Sequence, residues 1–145
     1  MLNVLFLCTG NSARSILAEA IMNDPFIGRE QFYAFSAGSD PRGAVHPLTL
    51  DVLAQHQIST HGLRSKSWEV FARSDAPTID FIFTVCDTAT REQCPLWPGH
   101  PVTAHWSVPD PAAVTGSDTE RRTAFLNAFL ILRQRIEAFV ATPRT

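Results

Sequence analysis

An apolar run at the start of the chain, Leu2–Cys8, ends on a cysteine and is followed at once by a short polar loop. Continuous apolar residues without polar alternation are typical of a strand that is buried on both faces of a sheet. In the loop, Gly10 and Asn11 tolerate a left-handed backbone, and Arg14 stands where a helical pattern opens. A strand, a tight loop and a helix in this order point several backbone N–H groups at one place. The segment therefore predicts an oxyanion site with a thiol beside it.

Further apolar runs alternate with helical patterns along the rest of the chain. The strand-like runs are Phe32–Ser36, Ile79–Val85 and Val102–Trp106. Helical spacing of apolar residues marks Ser12–Asn23, His46–Gln57, Ser65–Arg73 and the segment after Ser117. Strands that are apolar along their length and alternate with helices favour a parallel sheet covered on both faces. We therefore predict a three-layer α/β sandwich with a four-stranded parallel sheet, as a single domain over residues 1–145.

Two of the predicted helices have sequence signals for where they begin and a predicted buried face. Ser117 and Glu120 have the spacing of a capping box, and Pro47 suits the first turn of a helix. The residues predicted to face the core are Leu50, Leu53 and Ala54 in the His46–Gln57 helix and Phe125, Phe129, Leu132, Ile136 and Phe139 in the last helix.

Composition and charge exclude several classes of protein. The formal net charge of −2 and the scattered basic residues give no nucleic-acid footprint. No apolar stretch has the length that a bilayer span requires, and the N-terminal run lacks the basic lead and cleavage site of a signal peptide. Three cysteines are too few, and odd in number, for a secreted disulfide framework. We expect a cytoplasmic monomer without a membrane or nucleic-acid partner.

Several chemically active residues fall at or after the ends of predicted strands, where parallel sheets bind their ligands. Cys8, Cys86 and Trp106 are at such ends. Cys8 is either a nucleophile or a small buried apolar residue. Arg14 is either a bidentate anion ligand or a surface ion-pair residue. Ser15 either donates its hydroxyl to the thiolate or simply occupies the first helical turn.

The whole pattern resembles a known family. The sequence VLFLCTGNSARSILAE at Val4–Glu19 is similar to the N-terminal signature of the low-molecular-weight tyrosine phosphatase superfamily, and within it the chain more closely resembles the arsenate reductases. Further matches are FSAGS at Phe35–Ser39, GLRSKSW at Gly62–Trp68 and HWSVPDP at His105–Pro111, so that the resemblance covers almost the whole chain. It implies a flavodoxin-like topology of the sheet.

The resemblance also assigns roles around the loop. It implies that Cys8 is the nucleophile and that the oxyanion is held by Thr9, Gly10, Asn11, Ser12, Ala13, Arg14 and Ser15. Asp110 is then the acid that protonates the leaving oxygen, although an aspartate before Pro111 also suits an ordinary turn. Phosphatases of this family usually carry aromatic residues after the Asp-Pro pair, whereas this chain has Ala112 and Ala113. The change favours a small bare oxyanion, arsenate or phosphate, as the ligand.

The remaining cysteines, Cys86 and Cys94, favour reduction over hydrolysis. From the residues alone, Cys86 also suits the core and Cys94 an incidental loop position, while their spacing does not match a zinc site. The resemblance implies that a Cys8–Cys86 disulfide forms as arsenite leaves, and that exchange then gives a Cys86–Cys94 disulfide. Thioredoxin is the expected external reductant, with glutathione and glutaredoxin as the alternative.

Other activities and ligands stay open at this stage. A low-molecular-weight phosphatase would need only Cys8, Arg14 and Asp110, and an oxyanion sensor would keep the loop without turnover. We expect no bound cofactor and no metal ion. Some relatives bind potassium near their equivalents of Asn11, Glu19 and Ser36; here the ammonium of Lys66 can replace that ion.

Overall fold

A computed structural model describes residues 1–87 and 102–142 of the chain. The strands are β1 (Leu2–Cys8), β2 (Phe32–Gly38), β3 (Phe81–Thr84) and β4 (Val102–His105). The α-helices are α1 (Arg14–Asn23), α2 (Pro25–Gly28), α3 (Pro47–Gln55) and α4 (Asp118–Ala141), and short 3-10 helices cover Trp68–Phe71 and Pro111–Ala113.

The four strands form one parallel sheet in the order β2-β1-β3-β4. This confirms the predicted α/β class and the four-stranded parallel sheet. The chain leaves β1 toward β2 on one side and later returns to β3 and β4 on the other. The order of the strands therefore reverses at β1, and the carboxyl end of that strand is the switch point where such sheets bind ligands. Cys8 is the last residue of β1.

Side chains of the sheet alternate between two apolar layers. Val4, Phe6 and Cys8 face the layer that contains α1 and α4, whereas Leu5 and Leu7 face the other. In the first layer the rings of Phe83 and Trp106 stack with their centroids 4.2 Å apart, and Phe6 lies against both. In the second layer the 3-10 helix contributes Phe71. The central strand is thus buried on both sides, which explains its unbroken apolar sequence.

The structure of α4 confirms the capping box and most of the buried face predicted from its sequence. The Ser117 hydroxyl accepts a hydrogen bond from the Glu120 backbone N–H at 3.1 Å, and the Glu120 carboxylate accepts in return from the backbone N–H of Ser117. Of the predicted apolar stripe, Phe139 is partly buried against Phe32 and the fully packed members are Phe125, Phe129, Leu132 and Ile136. Of the helices in the described ranges, α4 included, none is long and apolar enough to cross a membrane.

Two short helices were not predicted, and both begin at an Asp-Pro pair. Asp24 accepts hydrogen bonds from the backbone N–H groups of Phe26 and Ile27 at the start of α2. Asp110 accepts one from the Ala112 N–H at the start of the Pro111–Ala113 turn. In each case the aspartate caps the turn and proline presets its first φ angle. These turns are too short to produce an apolar periodicity.

The predicted inward face of α3 was partly wrong. Leu53 is buried, but Leu50 and Ala54 are exposed. The helix buries Leu48 and Val52 instead, which are one turn apart on the same side. The error arises because the apolar residues of this helix lie on several of its sides, so that its sequence is compatible with more than one buried face. Strand β2 also extends to Gly38 rather than ending at Ser36, since it pairs with β1 as far as Cys8.

Replacing Ser117 with alanine should lower the free energy of unfolding by about 1 kcal/mol, because the amide of Glu120 loses its acceptor at the end of the longest helix. Urea denaturation followed by circular dichroism measures the change. Ser117→Thr keeps a capping hydroxyl and should retain most of the stability. Equal losses for both variants would contradict the capping role.

Candidate active site

The loop between β1 and α1 forms one wall of a cavity of about 380 Å³ at the switch point of the sheet. This volume is at the lower end of the range for small-molecule sites, roughly 300–1,000 Å³. The cavity is lined by Cys8, Thr9, Gly10, Asn11, Ser12, Ala13, Arg14, Asp40, Pro41, Arg42, Asp110 and Ala112. The structure therefore brings the predicted loop, Cys8 and Asp110 together around a single space, although Ser15 lies behind the wall.

The sulfur of Cys8 is in contact with a hydroxyl group. Cys8 Sγ is 2.8 Å from Ser15 Oγ, and Cys8 is a free, buried thiol. Asn11 Nδ2 donates to the same Ser15 oxygen at 2.8 Å. Because Ser15 Oγ already accepts this bond, its own hydrogen is available to the sulfur. Of the two roles considered for Ser15, the geometry favours the hydroxyl donor to sulfur.

The loop is braced by the buried side chain of Asn11. Its backbone has a φ of 45°, in the left-handed region that asparagine adopts more readily than most residues. Its Oδ1 atom accepts from the Lys66 backbone N–H at 2.8 Å, and its Nδ2 atom donates to Ser36 Oγ at 3.0 Å as well as to Ser15. One amide thus ties together the loop, α1, β2 and the segment around residue 66.

Neighbouring segments hold the loop backbone from outside. A side chain at Gly38 would place its Cβ atom 2.4 Å from the carbonyl oxygen of Thr9, so only glycine permits this approach of β2 to the loop. The Thr9 carbonyl accepts from the Asp40 N–H at 2.9 Å. The Ser12 carbonyl accepts from the Thr49 hydroxyl at 2.9 Å. With its carbonyls engaged outward, the loop can turn its N–H groups toward the cavity.

Arg14 and Asp110 meet across the cavity. The Arg14 side chain is 4% exposed and donates from Nη1 to the Val108 carbonyl at 3.1 Å. Its Nη2 atom is 3.7 Å from Asp110 Oδ2, an ion pair that ties the Asp110 loop to the start of α1. Among the described residues, none caps the start of α1 with a side chain. The uncapped start of α1 and the buried guanidinium of Arg14 therefore lie at one cavity, an arrangement that suits an oxyanion.

The remaining predicted residues lie beside this cavity or outside the described ranges. Ala112 lines it, whereas Ala113 is exposed and is not part of the lining. Cys86 is buried just beyond β3, is disulfide-bonded, and its carbonyl accepts from the Val108 N–H at 3.2 Å. Cys94 lies outside the described residues.

A buried ion pair stands behind the Asn11 brace. Glu19 Oε1 accepts from the Ser36 hydroxyl and is 3.6 Å from Lys66 Nζ. Burial raises the pKa of Glu19, while the nearby Lys66 ammonium opposes this shift; burial also lowers the pKa of Lys66. Because Asn11 turns its oxygen to the Lys66 N–H and its nitrogen to Ser36, these side chains do not present converging oxygen ligands to potassium. The cluster fits the ammonium group instead.

Three lining residues were missed by the sequence analysis: Asp40, Pro41 and Arg42. They follow β2 directly, and the carboxyl ends of neighbouring parallel strands lie at the same edge of a sheet. This rule could have predicted that the residues after β2 lie near the site. The direction in which it folds over Gly10 depends on contacts that the sequence does not display.

Comparisons with known proteins agree with this geometry. Residues 3–142 match the low molecular weight phosphotyrosine protein phosphatase family. The arsenate reductase of Oceanobacillus iheyensis is 30% identical over 139 residues, covering 96% of this chain and 95% of that protein. The arsenate reductase of Shouchella clausii matches with the same identity and coverage.

Solved structures share the fold. The arsenate reductase from Archaeoglobus fulgidus superposes with a TM-score of 0.73 at 24% identity, over 96% of this chain and 99% of that one. A low molecular weight phosphotyrosine phosphatase from Vibrio cholerae gives a TM-score of 0.72 at 22% identity, over 97% of this chain and 95% of that one.

The chain belongs to the low molecular weight phosphotyrosine protein phosphatase family. Within that family its similar relatives include the arsenate reductases of several bacilli, which confirms the resemblance first observed in the sequence.

Replacing Lys66 with methionine should lower the free energy of unfolding by about 3 kcal/mol, because the carboxylate of Glu19 is left buried without its counter-charge. Urea denaturation measures the loss. The double variant Glu19→Gln with Lys66→Met removes both charges and should recover a clear part of it. A single variant as stable as the wild type would contradict the ion pair's role.

Proposed function

We propose that the protein reduces arsenate to arsenite with its three cysteines. The observation that carries this proposal is the difference in oxidation state between two of these cysteines. Cys86, just beyond β3, is disulfide-bonded, whereas Cys8, at the end of the neighbouring strand β1, is a free thiol in the oxyanion cavity. A phosphatase of this fold uses one cysteine and has no need for a redox-active second one. Reduction of arsenic(V) needs two electrons, which a pair of thiols can supply.

Sequence relatives support the same reaction. Proteins named arsenate reductase are 30% identical to this chain along almost its full length. A related fold has also been solved as an arsenate reductase in a phosphate-binding state, with a TM-score of 0.71 at 22% identity. Arsenate and phosphate are both tetrahedral oxyanions, so one cavity suits either ion.

In the first step the loop amides and Arg14 hold arsenate against Cys8. The Cys8 thiolate, which accepts a hydrogen bond from Ser15, attacks arsenic and forms a sulfur–arsenic bond. Asp110 gives its proton to the departing oxygen, which leaves as water. The contact of Asp110 with Arg14 supports this role because it holds the carboxyl group over the cavity.

In the second step the thiolate of Cys86 attacks the sulfur of Cys8. The sulfur–arsenic bond breaks, its electron pair stays on arsenic, and arsenite leaves as a Cys8–Cys86 disulfide forms. The strand register supports this transfer. Leu7 is paired with Thr84, and the Val85 N–H donates to the Leu7 carbonyl. The next residue on each chain segment places Cys8 beside Val85, and Cys86 comes directly after Val85. Adjacent strands are about 4.8 Å apart.

In the third step the thiolate of Cys94 attacks Cys86, which frees the Cys8 thiolate and leaves a Cys86–Cys94 disulfide. We propose thioredoxin as the reductant of this disulfide, its own dithiol being oxidised in exchange. A thioredoxin-dependent arsenate reductase from Corynebacterium glutamicum shares the fold, with a TM-score of 0.58 at 21% identity over 96% of this chain and 63% of that one. The cycle needs no bound cofactor or metal, and we place it in a single-domain cytoplasmic monomer.

Hydrolysis of phosphomonoesters is the second candidate function. Cys8, Arg14 and Asp110 have the placement that a cysteinyl-phosphate mechanism needs, and the family includes phosphatases. The same three residues serve both reactions, so that activity on an aryl phosphate measures the shared site without the cysteine relay.

Replacing Cys86 with serine should abolish multiple-turnover arsenate reduction while sparing slow hydrolysis of p-nitrophenyl phosphate, since only reduction needs the second sulfur. Arsenite release and p-nitrophenol formation are measured on the same preparation. Cys8→Ser is the matched control and should abolish both activities. Cys86→Ala and a thermal melt separate loss of sulfur from loss of folding at this buried position. Multiple turnover by a folded Cys86 variant would contradict the relay.

Thioredoxin with its reductase should support arsenate-dependent NADPH oxidation at least tenfold faster than glutathione with glutaredoxin, because an intramolecular disulfide suits a dithiol reductant. The oxidation is followed at 340 nm, as is usual for NADPH, with arsenate omitted as the blank. Equal or faster oxidation with glutathione and glutaredoxin would contradict thioredoxin as the donor and would leave the Cys86 result to be judged separately.

A further inference from the structure

A second guanidinium group lies at the cavity, on the segment that follows β2. Arg42 is exposed and lines the same cavity as the buried Arg14. Its backbone N–H donates to the Gly10 carbonyl at 2.9 Å, and the Asp40 N–H donates in the same way to Thr9. These two hydrogen bonds fix the segment alongside the oxyanion loop. The position of Arg42 is therefore set by its backbone and does not depend on a chance side-chain contact.

The side chain of Arg42 crosses directly over Gly10. A Cβ atom added at Gly10 would lie 2.9 Å from Arg42 Nε and 3.3 Å from its Cγ atom. The absence of a side chain at position 10 thus provides the space in which the arginine stem lies. The guanidinium is held against the loop that lines the same cavity.

Within the described residues, no neighbouring carboxylate neutralises the charge of Arg42. None of the carboxylates in residues 1–87 and 102–142 forms an ion pair with it, including that of Asp40. By contrast, Arg14 already contacts Asp110 and the Val108 carbonyl. The charge of Arg42 also acts on a neighbouring side chain. The pKa of His46 is lowered mainly by burial, and the charges of Arg121 and Arg42 add to this shift. With no carboxylate partner among the described residues, this cation at the entrance is positioned to attract an anion.

We propose that Arg42 is a second oxyanion-binding residue, which selects free inorganic oxyanions over their esters. The inference rests on the proposed function, because it assigns a preference to the same site. A tetrahedral oxyanion that turns three oxygens to the loop and Arg14 leaves its fourth oxygen facing the entrance. In free arsenate or phosphate this oxygen carries charge or a hydroxyl group and accepts a strong hydrogen bond from a guanidinium. In a phosphomonoester it is a bridging oxygen, which is a poorer acceptor and carries the organic group.

Binding of inorganic phosphate to the reduced protein, measured by isothermal titration calorimetry, tests this role without any turnover. Arg42→Ala should weaken binding roughly tenfold, and Arg42→Lys should restore part of it by keeping the charge. Arg135→Ala removes the same charge from the exposed surface of α4 and should change binding less than twofold. The salt dependence of phosphate binding should also be shallower in Arg42→Ala than in the wild type.

The ester arm of the experiment tests selection. Arg42→Ala should raise the inhibition constant of phosphate against p-nitrophenyl phosphate roughly tenfold, and should reduce kcat/KM for the ester by a clearly smaller factor. Thermal melts of each variant confirm folding. Equal losses for the ester and for phosphate would overturn the selection, and phosphate binding in Arg42→Ala as tight as in the wild type would overturn the site itself.

Gly10→Ala gives an independent test through a double-mutant cycle. The added methyl group should displace the Arg42 side chain and weaken phosphate binding in the wild-type background. In the Arg42→Ala background the same substitution should cost much less, because the displaced group is already gone. Additive losses would contradict the contact between the two residues. Because every arm uses phosphate or an aryl phosphate, failure of arsenate reduction leaves these results interpretable on their own.

Discussion

The buried amide of Asn11 is the contact on which the rest of the site depends. Its three hydrogen bonds reach Ser15, Ser36 and the Lys66 backbone, and its left-handed φ turns the loop back on itself. Each bond satisfies a polar group that would be costly to bury alone. Since the amide orders the Ser15 hydroxyl against Cys8, the bracing of the backbone and the environment of the sulfur have one origin.

Arg14 extends this order to the opposite wall of the cavity. Its guanidinium is shared between the Val108 carbonyl and Asp110, so the loop that bears Asp110 is held by the same group that lines the cavity. Binding an oxyanion would add a further partner to a side chain that is already oriented. The cost of ordering a long arginine is thus met during folding, and the anion encounters a preorganised site.

The parts of the molecule that could be predicted from the sequence are those encoded locally. The unbroken apolar run of β1, the Gly-Asn loop and the Ser117 capping box each depend on a few adjacent residues. The placement of Arg42 over Gly10 and the hydrogen bond from Arg14 to Val108 join segments that are far apart in the chain. Sequence periodicity does not predict contacts of this kind. The face of α3 was misjudged for a related reason, since packing partners choose between apolar stripes that its sequence leaves equivalent.

Lys66 is the only lysine in the chain, and the other basic side chains are arginines. Its ammonium is enclosed, with the side chain 10% exposed, and is shared between Glu19 and the Arg64 carbonyl. Reagents that acylate primary amines therefore find the one lysine side chain of the sequence enclosed by the fold. Acylation of Lys66 would thus report local opening of the structure around its ion pair with Glu19.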